Sequence, residues 1–222
     1  MILDDNGNLL DSSYSTIKVV GGREQATHVD LREFTIIPDG TVLTTAYVET
    51  KHGIEGPERA TERPLWDCVL QEIDIDTGDI LFQWSALDHV DLEDSYIDHK
   101  AKSLTPDLEL PDWFYMNSID KDLRGNNLIC SGFTYSIYYI DGTNGDILWI
   151  LGGKCNMFED KSGGRALNFS GQHTAQWGEE PDTITLFNND IAIKESQRRG
   201  MRSVIDPDAM TVNLLDEYPN PW

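Results

Sequence analysis

The chain has 222 residues, 39% of them hydrophobic, with 17 Lys and Arg against 39 Asp and Glu for a formal charge of −22; that length predicts one domain or part of a larger one with a sizeable core. Such an acidic chain, with no basic run of five, repels a phosphate backbone and an anionic lipid surface, which excludes nucleic acid and such membranes as partners. No apolar run nears the ~20 residues of a membrane span, and the opening stretch MILDDNGNLLDSSY lacks the basic and apolar regions of a signal peptide.

Along the chain, strand follows strand with almost no helical period. The runs LREFTIIPDGTVLTTAYV (31–48), CVLQEIDIDTGDILFQW (68–84) and NNLICSGFTYSIYYIDGTNGDILWILGG (126–153) alternate β-branched and aromatic residues with polar ones. Turns at Asp39-Gly40, Asp141-Gly142 and Asn144-Gly145 cut them into hairpins. A third unit opens at HTAQWGEE, turns at Pro181-Asp182 into TITLFNND, and continues through RGMRSVID. The segments EIDIDTGDILFQWSA (72–86) and YYIDGTNGDILWILG (138–152) share one plan: strand, Asp turn, Gly-Asp-Ile-Leu, then Trp84 or Trp149. Each is preceded by two more strands. Four antiparallel strands per repeat is the pattern of a β-propeller blade.

The predicted fold is therefore all-β, a propeller of four-stranded antiparallel blades with about three and a half present. Its expected parts are a hairpin fragment (1–22), a blade (30–87) with a loop insertion at 49–66, an inserted loop (88–111), a blade (112–154) and a blade (171–222). Propellers close with roughly four to eight blades, so the chain is either an excerpt of a longer propeller or closes by another route; the excerpt is the expected case. The three cysteines, Cys68, Cys130 and Cys155, have no CxxC spacing and make neither a zinc site nor a disulfide framework. Cys68 and Cys130 read as buried thiols in strands. Asp74, Asp76 and Asp79 look like the start of a calcium loop, but Gly78 is displaced and no glutamate follows, so a hairpin turn is expected. No metal and no cofactor are expected.

Taken in order, DSSYSTIKVVGG (11–22), DLREFTIIPDGTVLTTAYV (30–48), QEIDIDTGDILFQWSALDHV (71–90), DWFYMNSIDKDLRGNNLICSG (112–132), TYSIYYIDGTNGDILWILGGK (134–154), GQHTAQW (171–177), LFNND (186–190) and RRG (198–200) resemble the arylsulfotransferase propellers, especially their fungal branch. The resemblance implies a six-bladed propeller that moves a sulfuryl group from a phenolic sulfate ester to a phenol, through a covalent histidine. Relatives are usually exported, which leaves the compartment open here. Carried over by position, His173 matches an active-site histidine, as electrostatic stabiliser or general acid, and Arg199 matches an arginine that holds sulfuryl oxygens, with Arg198 beside it. The nucleophilic histidine of the family falls on a later blade. Tyr115 and Arg32 stand where the pattern has histidine, and Gly132-Phe133 replaces an Arg-His pair.

Tyr115, Asn117 and Ser118 share an inner strand and are candidate substrate-binding residues, against packing or backbone-bonding roles. His89 reads as structural, and His28, His52 and His99 as exposed. The expected partner is thus a small phenolic sulfate or phenol, with the oligomeric state open. The rival reading is a catalytically inactive propeller that binds a ligand or protein. A quinoprotein-like dehydrogenase would need a cofactor and calcium ligands that the sequence does not offer.

Overall fold

The computed structural model describes residues 2–3, 9–11, 29–54, 61–97, 110–191 and 198–219. Antiparallel sheet dominates, and the one α-helix among the described residues, α1 (Ala86–His89), is a single turn. No helix among them is long and apolar enough to cross a membrane. The chain divides into two compact units, residues 1–86 with 102–112, and residues 87–101 with 113–222.

In the first unit, β1 (Ile2–Leu3) and β2 (Leu9–Asp11) pair antiparallel. Most of the expected 1–22 hairpin, with His28 beyond it, lies outside the described residues. The remainder is a four-stranded meander of β3 (Val29–Ile37), β4 (Thr41–Ile54), β5 (Thr61–Asp74) and β6 (Ile80–Ser85). Its central strands are covered on both faces, so Thr41–Ala46 and Asp67–Ile73 are buried without a break. Several polar members of these runs are paired, as most buried polar groups are, while Thr45 Oγ1 and Gln71 Oε1 have no hydrogen-bond partner among the described residues. Gln71 donates to Gln83 at 2.7 Å, Ser85 to Asp67 at 2.7 Å and Thr41 to Glu72 at 2.9 Å.

The expected loop at 49–66 is much shorter than its composition suggested. The β4–β5 ladder runs unshifted from Thr41↔Asp74 to Ile54↔Thr61, leaving only 55–60 outside the described residues. A hairpin already in register can extend on backbone hydrogen bonds alone, whatever the polarity of its side chains. Part of the 88–111 stretch is likewise ordered, as α1 and a short 3₁₀ turn at Leu92–Asp94, while 98–109, with His99, falls outside the description. His89 is exposed at the end of α1.

The second unit holds two sheets. One is a meander of β7 (Met116–Lys121), β8 (Asn127–Ser131), β9 (Ser136–Ile140) and β10 (Ile147–Gly152). The other orders β11 (Glu159–Asp160), β15 (Thr211–Pro219), β14 (Arg199–Asp206), β13 (Thr183–Asn188) and β12 (His173–Trp177), with β11 parallel to β15. One core joins them: Leu128, Tyr139, Trp149 and Leu151 from the first sheet meet Ala175, Ile184, Leu186 and Met201 from the second.

The sequence repeat is a structural repeat down to its turns. Asp74 and Asp141 each open a hairpin by accepting backbone N–H bonds on the carboxylate, from Thr77 at 2.7 Å and from Thr143 at 2.7 Å. The following glycine N–H then closes on the Asp carbonyl at 2.9 Å in both. Gly78 and Gly145 sit at φ +71° and +82°, where a side chain would be strained. The tryptophans that close the repeat, Trp84 and Trp149, are 1% and 3% exposed.

Candidate functional site

The site is built where β7 and β12, the edge strands of the two sheets of the second unit, lie side by side. Two bare edges would leave unpaired backbone groups. Side chains of β7 bond the β12 segment instead. Ser118 accepts the Ala175 N–H at 3.0 Å, Asp120 accepts the Trp177 N–H at 2.8 Å, and Asn117 donates to the Gln172 carbonyl at 2.7 Å. Gln172, fully buried, answers from the other side by donating to the carbonyls of Ser131 and Ser136 at 2.8 and 3.1 Å. Cys130 Sγ also donates to the Gln172 carbonyl at 3.6 Å, and burial pushes its thiol up to about 12. That group stays protonated and is no nucleophile at neutral pH.

His173 opens β12 beside this network, half-buried, with its ring edge-on to Tyr115 at 5.7 Å between centroids. Tyr115 also leans on Phe133 at 4.7 Å. Both rings hang on unusual backbone: Tyr115 is at φ +57° and Thr174, directly after His173, at φ +54°. A β-branched residue in the left-handed region is a true outlier. Such strain costs of order 1–3 kcal/mol per residue and gathers at ligand sites. Gly132 completes the wall, since a Cβ there would stand 2.7 Å from Tyr115 Cδ1 and 3.0 Å from Asn117 Nδ2.

The expected residues divide in space. Tyr115 and His173 come together, with Asn117 one step behind them. Asn117 and Ser118 are 6% and 1% exposed, and the Asn117 amide donor and the Ser118 hydroxyl acceptor are spent on holding β12. Asn117 Oδ1 and Gln172 Oε1 are buried and have no hydrogen-bond partner among the described residues. Arg199 goes elsewhere. His173 pairs with Phe187 and Phe187 with Gly200, whereas Arg199 pairs with Asn188, one residue along. Its side chain therefore leaves β14 on the face opposite to that row. There it donates to the Asn168 carbonyl at 2.8 Å and meets Glu217 at 3.4 Å. Arg198 is exposed, and the side chains of Arg32 and His52 lie outside the described residues.

A family model described as Arylsulfotransferase (ASST) matches residues 6–221. The chain belongs to that family. No curated protein matches it at a significant level. In this arylsulfotransferase-family chain, Gln172 is the site member that the sequence reading does not single out, while Phe133 enters it only as a departure from the family pattern. Gln172 sits in the GQH motif next to His173, and that adjacency was the available signal. For Phe133 that departure was the signal, and its contact with Tyr115 supplies the packing role.

Proposed function

We propose that this chain binds the sulfated end of a phenolic sulfate ester at the Tyr115–His173 pair and that this pair assists sulfuryl transfer to a phenol. The observation that carries the reading is the clamp itself: an imidazole and a phenol ring held edge-on at 5.7 Å, beside two left-handed residues, Tyr115 and Thr174. In an acidic chain, a group that handles a sulfate ester has to offer donors in place of bulk charge. The Tyr115 hydroxyl and the His173 ring N–H are such donors. Phe133 and Tyr115 give the aryl ring an apolar wall.

In the transfer, the bond from sulfur to the aryl oxygen breaks as a bond from sulfur to the incoming nucleophile forms, and the electron pair leaves on the phenolate oxygen. His173 acts as general acid to that oxygen, which removes the cost of expelling a free phenolate. Tyr115 donates to a sulfuryl oxygen. Asn117 and Ser118 position the pair by fixing β12, and Arg199, turned to Asn168 and Glu217, takes no part in this step. The nucleophile is not assigned to a described residue. We also propose that each four-stranded meander is a blade of the six-bladed propeller that the fungal-branch resemblance implies, the chain supplying part of that ring.

The test is turnover of 4-nitrophenyl sulfate with a phenol acceptor. His173→Ala should lower kcat by at least about 100-fold, within the usual contribution of a general acid. Tyr115→Phe should lower kcat about tenfold and leave the fold intact. Wild-type turnover in both variants would refute the assignment. Binding of the ester, lost in His173→Ala, with no turnover in the wild type would reduce the site to a binding module.

A further inference from the structure

Within the second unit, at the end of β12 opposite His173, lies a cavity of about 590 Å³. His173 and Trp177 bound the same five-residue strand, so the two places are roughly 13 Å apart along it at ~3.3 Å per residue. Nothing in the proposed sulfuryl chemistry uses the far end. The cavity is within the usual range for small-molecule sites.

Its floor is aromatic. Tyr139 stacks on Trp149 at 4.9 Å, and Trp177 stands perpendicular to both, at 5.5 Å from Tyr139 and 6.1 Å from Trp149. Two stacked rings with a third perpendicular to them form a corner at the cavity wall, where Trp177 is the most exposed of the three. Tyr139 is fixed there by donating to Asp122 at 2.5 Å and accepting from Asn126 at 2.9 Å.

The rim is charged and mostly negative. Glu179, Glu180 and Asp182 come from the β12–β13 turn, facing Lys121, Asp122 and Arg124 from the β7–β8 side. Glu180 is taken by Arg202, which also holds Asp216 at 2.6 Å. Glu179 and Asp182 make no ion pair among the described residues. Ring faces attract cations through their quadrupole, and carboxylates add to that field.

We propose that this cavity is a binding site for an organic ammonium ion with an apolar body, the cation seated on the Trp177–Trp149–Tyr139 corner and facing Glu179 and Asp182. An arylalkyl ammonium of modest size meets both demands. An anion is disfavoured by the rim, and a neutral aromatic gains only the apolar part of the contact. The inference is independent of the His173 reading, because it concerns other residues and a ligand of opposite charge.

Calorimetric titration of the whole chain with benzyltrimethylammonium, benzyl alcohol and benzoate tests it. The cation should bind at least about tenfold more tightly than the alcohol, and benzoate should not bind. Glu179→Gln with Asp182→Asn should weaken the cation about threefold to tenfold and leave the alcohol unchanged; Asn at 182 tolerates the φ of +55° found there. Trp177→Ala should abolish cation binding. Should that variant misfold by near-ultraviolet circular dichroism, Trp177→Phe should fold and lose cation affinity only in part, as the weaker of the two rings for a cation. Equal binding of the three probes, tighter binding of benzoate, or an unchanged cation affinity in the double carboxylate variant would overturn the proposal.

Discussion

Replacing Gly132 by alanine tests the packing on which the candidate site depends. Gly132 is not in the left-handed region, so alanine is allowed by its backbone. In open space the exchange would stabilise by about 0.4–1 kcal/mol, because alanine restricts the unfolded chain. Here the new Cβ would stand 2.7 Å from Tyr115 Cδ1, about 0.8–1.3 Å inside the ordinary carbon–carbon contact of 3.5–4.0 Å. The ring cannot retreat freely, since Phe133 at 4.7 Å and His173 at 5.7 Å flank it. An overpacked site of this kind costs about 1–3 kcal/mol.

Urea unfolding should therefore show a midpoint lower by about 1 M for a loss near 2 kcal/mol and an m-value near 2 kcal/mol/M. The decisive comparison is a double-mutant cycle with Tyr115→Ala, which keeps the same φ and removes the ring. In that background Gly132→Ala should be neutral or stabilising, for a coupling of about 2 kcal/mol. Additive effects within about 0.3 kcal/mol would show that the ring does not occupy this space, and the clamp would fail with it.

Ser118→Ala removes the acceptor of the buried Ala175 N–H and should destabilise by about 1–3 kcal/mol; urea midpoints measure it, and a loss under about 0.3 kcal/mol would deny the bridge between β7 and β12. Ellman's reagent should titrate Cys155 in the native chain and all three thiols after denaturation, since Cys68 and Cys130 are buried; Cys155 should react slowly, because partial burial and the nearby Asp94 carboxylate push its thiol up. The Asp141 carboxylate is held below 3.8 by the backbone N–H groups of Thr143 and Asn144. A lowered folded pKa stabilises above the unfolded value and is lost as pH falls through the folded one. The stability gap between wild type and Asp141→Ala should thus be full at pH 7 and shrink below pH 3.8, and a gap independent of pH would refute the turn's electrostatic part.

Local features were legible because short-range chemistry decides them. Asp141 with Gly145, and Asp74 with Gly78, specify their hairpins within five residues, so the repeat and its two tryptophans follow from the sequence alone. The 49–66 segment differs from the expected loop for the complementary reason: its local composition says nothing of pairing, while the register set by Thr41–Val48 against Asp67–Asp74 carries the ladder through most of it. The β7–β12 bridges join residues 55–57 positions apart, a distance at which pattern carries no information. Arg199 shows how little separates two readings. One residue of register sends its side chain to Glu217 instead of toward the row of His173 and Phe187.

The same geometry changes how the departures from the family pattern count. By resemblance, positions 115, 132 and 133 are three separate changes, each removing a histidine or an arginine. In space they are one change. The Tyr115 ring fills the volume that any side chain at 132 would enter, and it rests on the ring of Phe133. Once tyrosine stands at 115 in a left-handed backbone, glycine at 132 becomes a steric requirement and an aromatic residue at 133 a packing partner. An arginine restored at 132 alone would collide with the ring it is meant to assist. Any attempt to reinstate the family's residues must therefore exchange all three positions together, and a single reversion that raises activity would contradict the coupling.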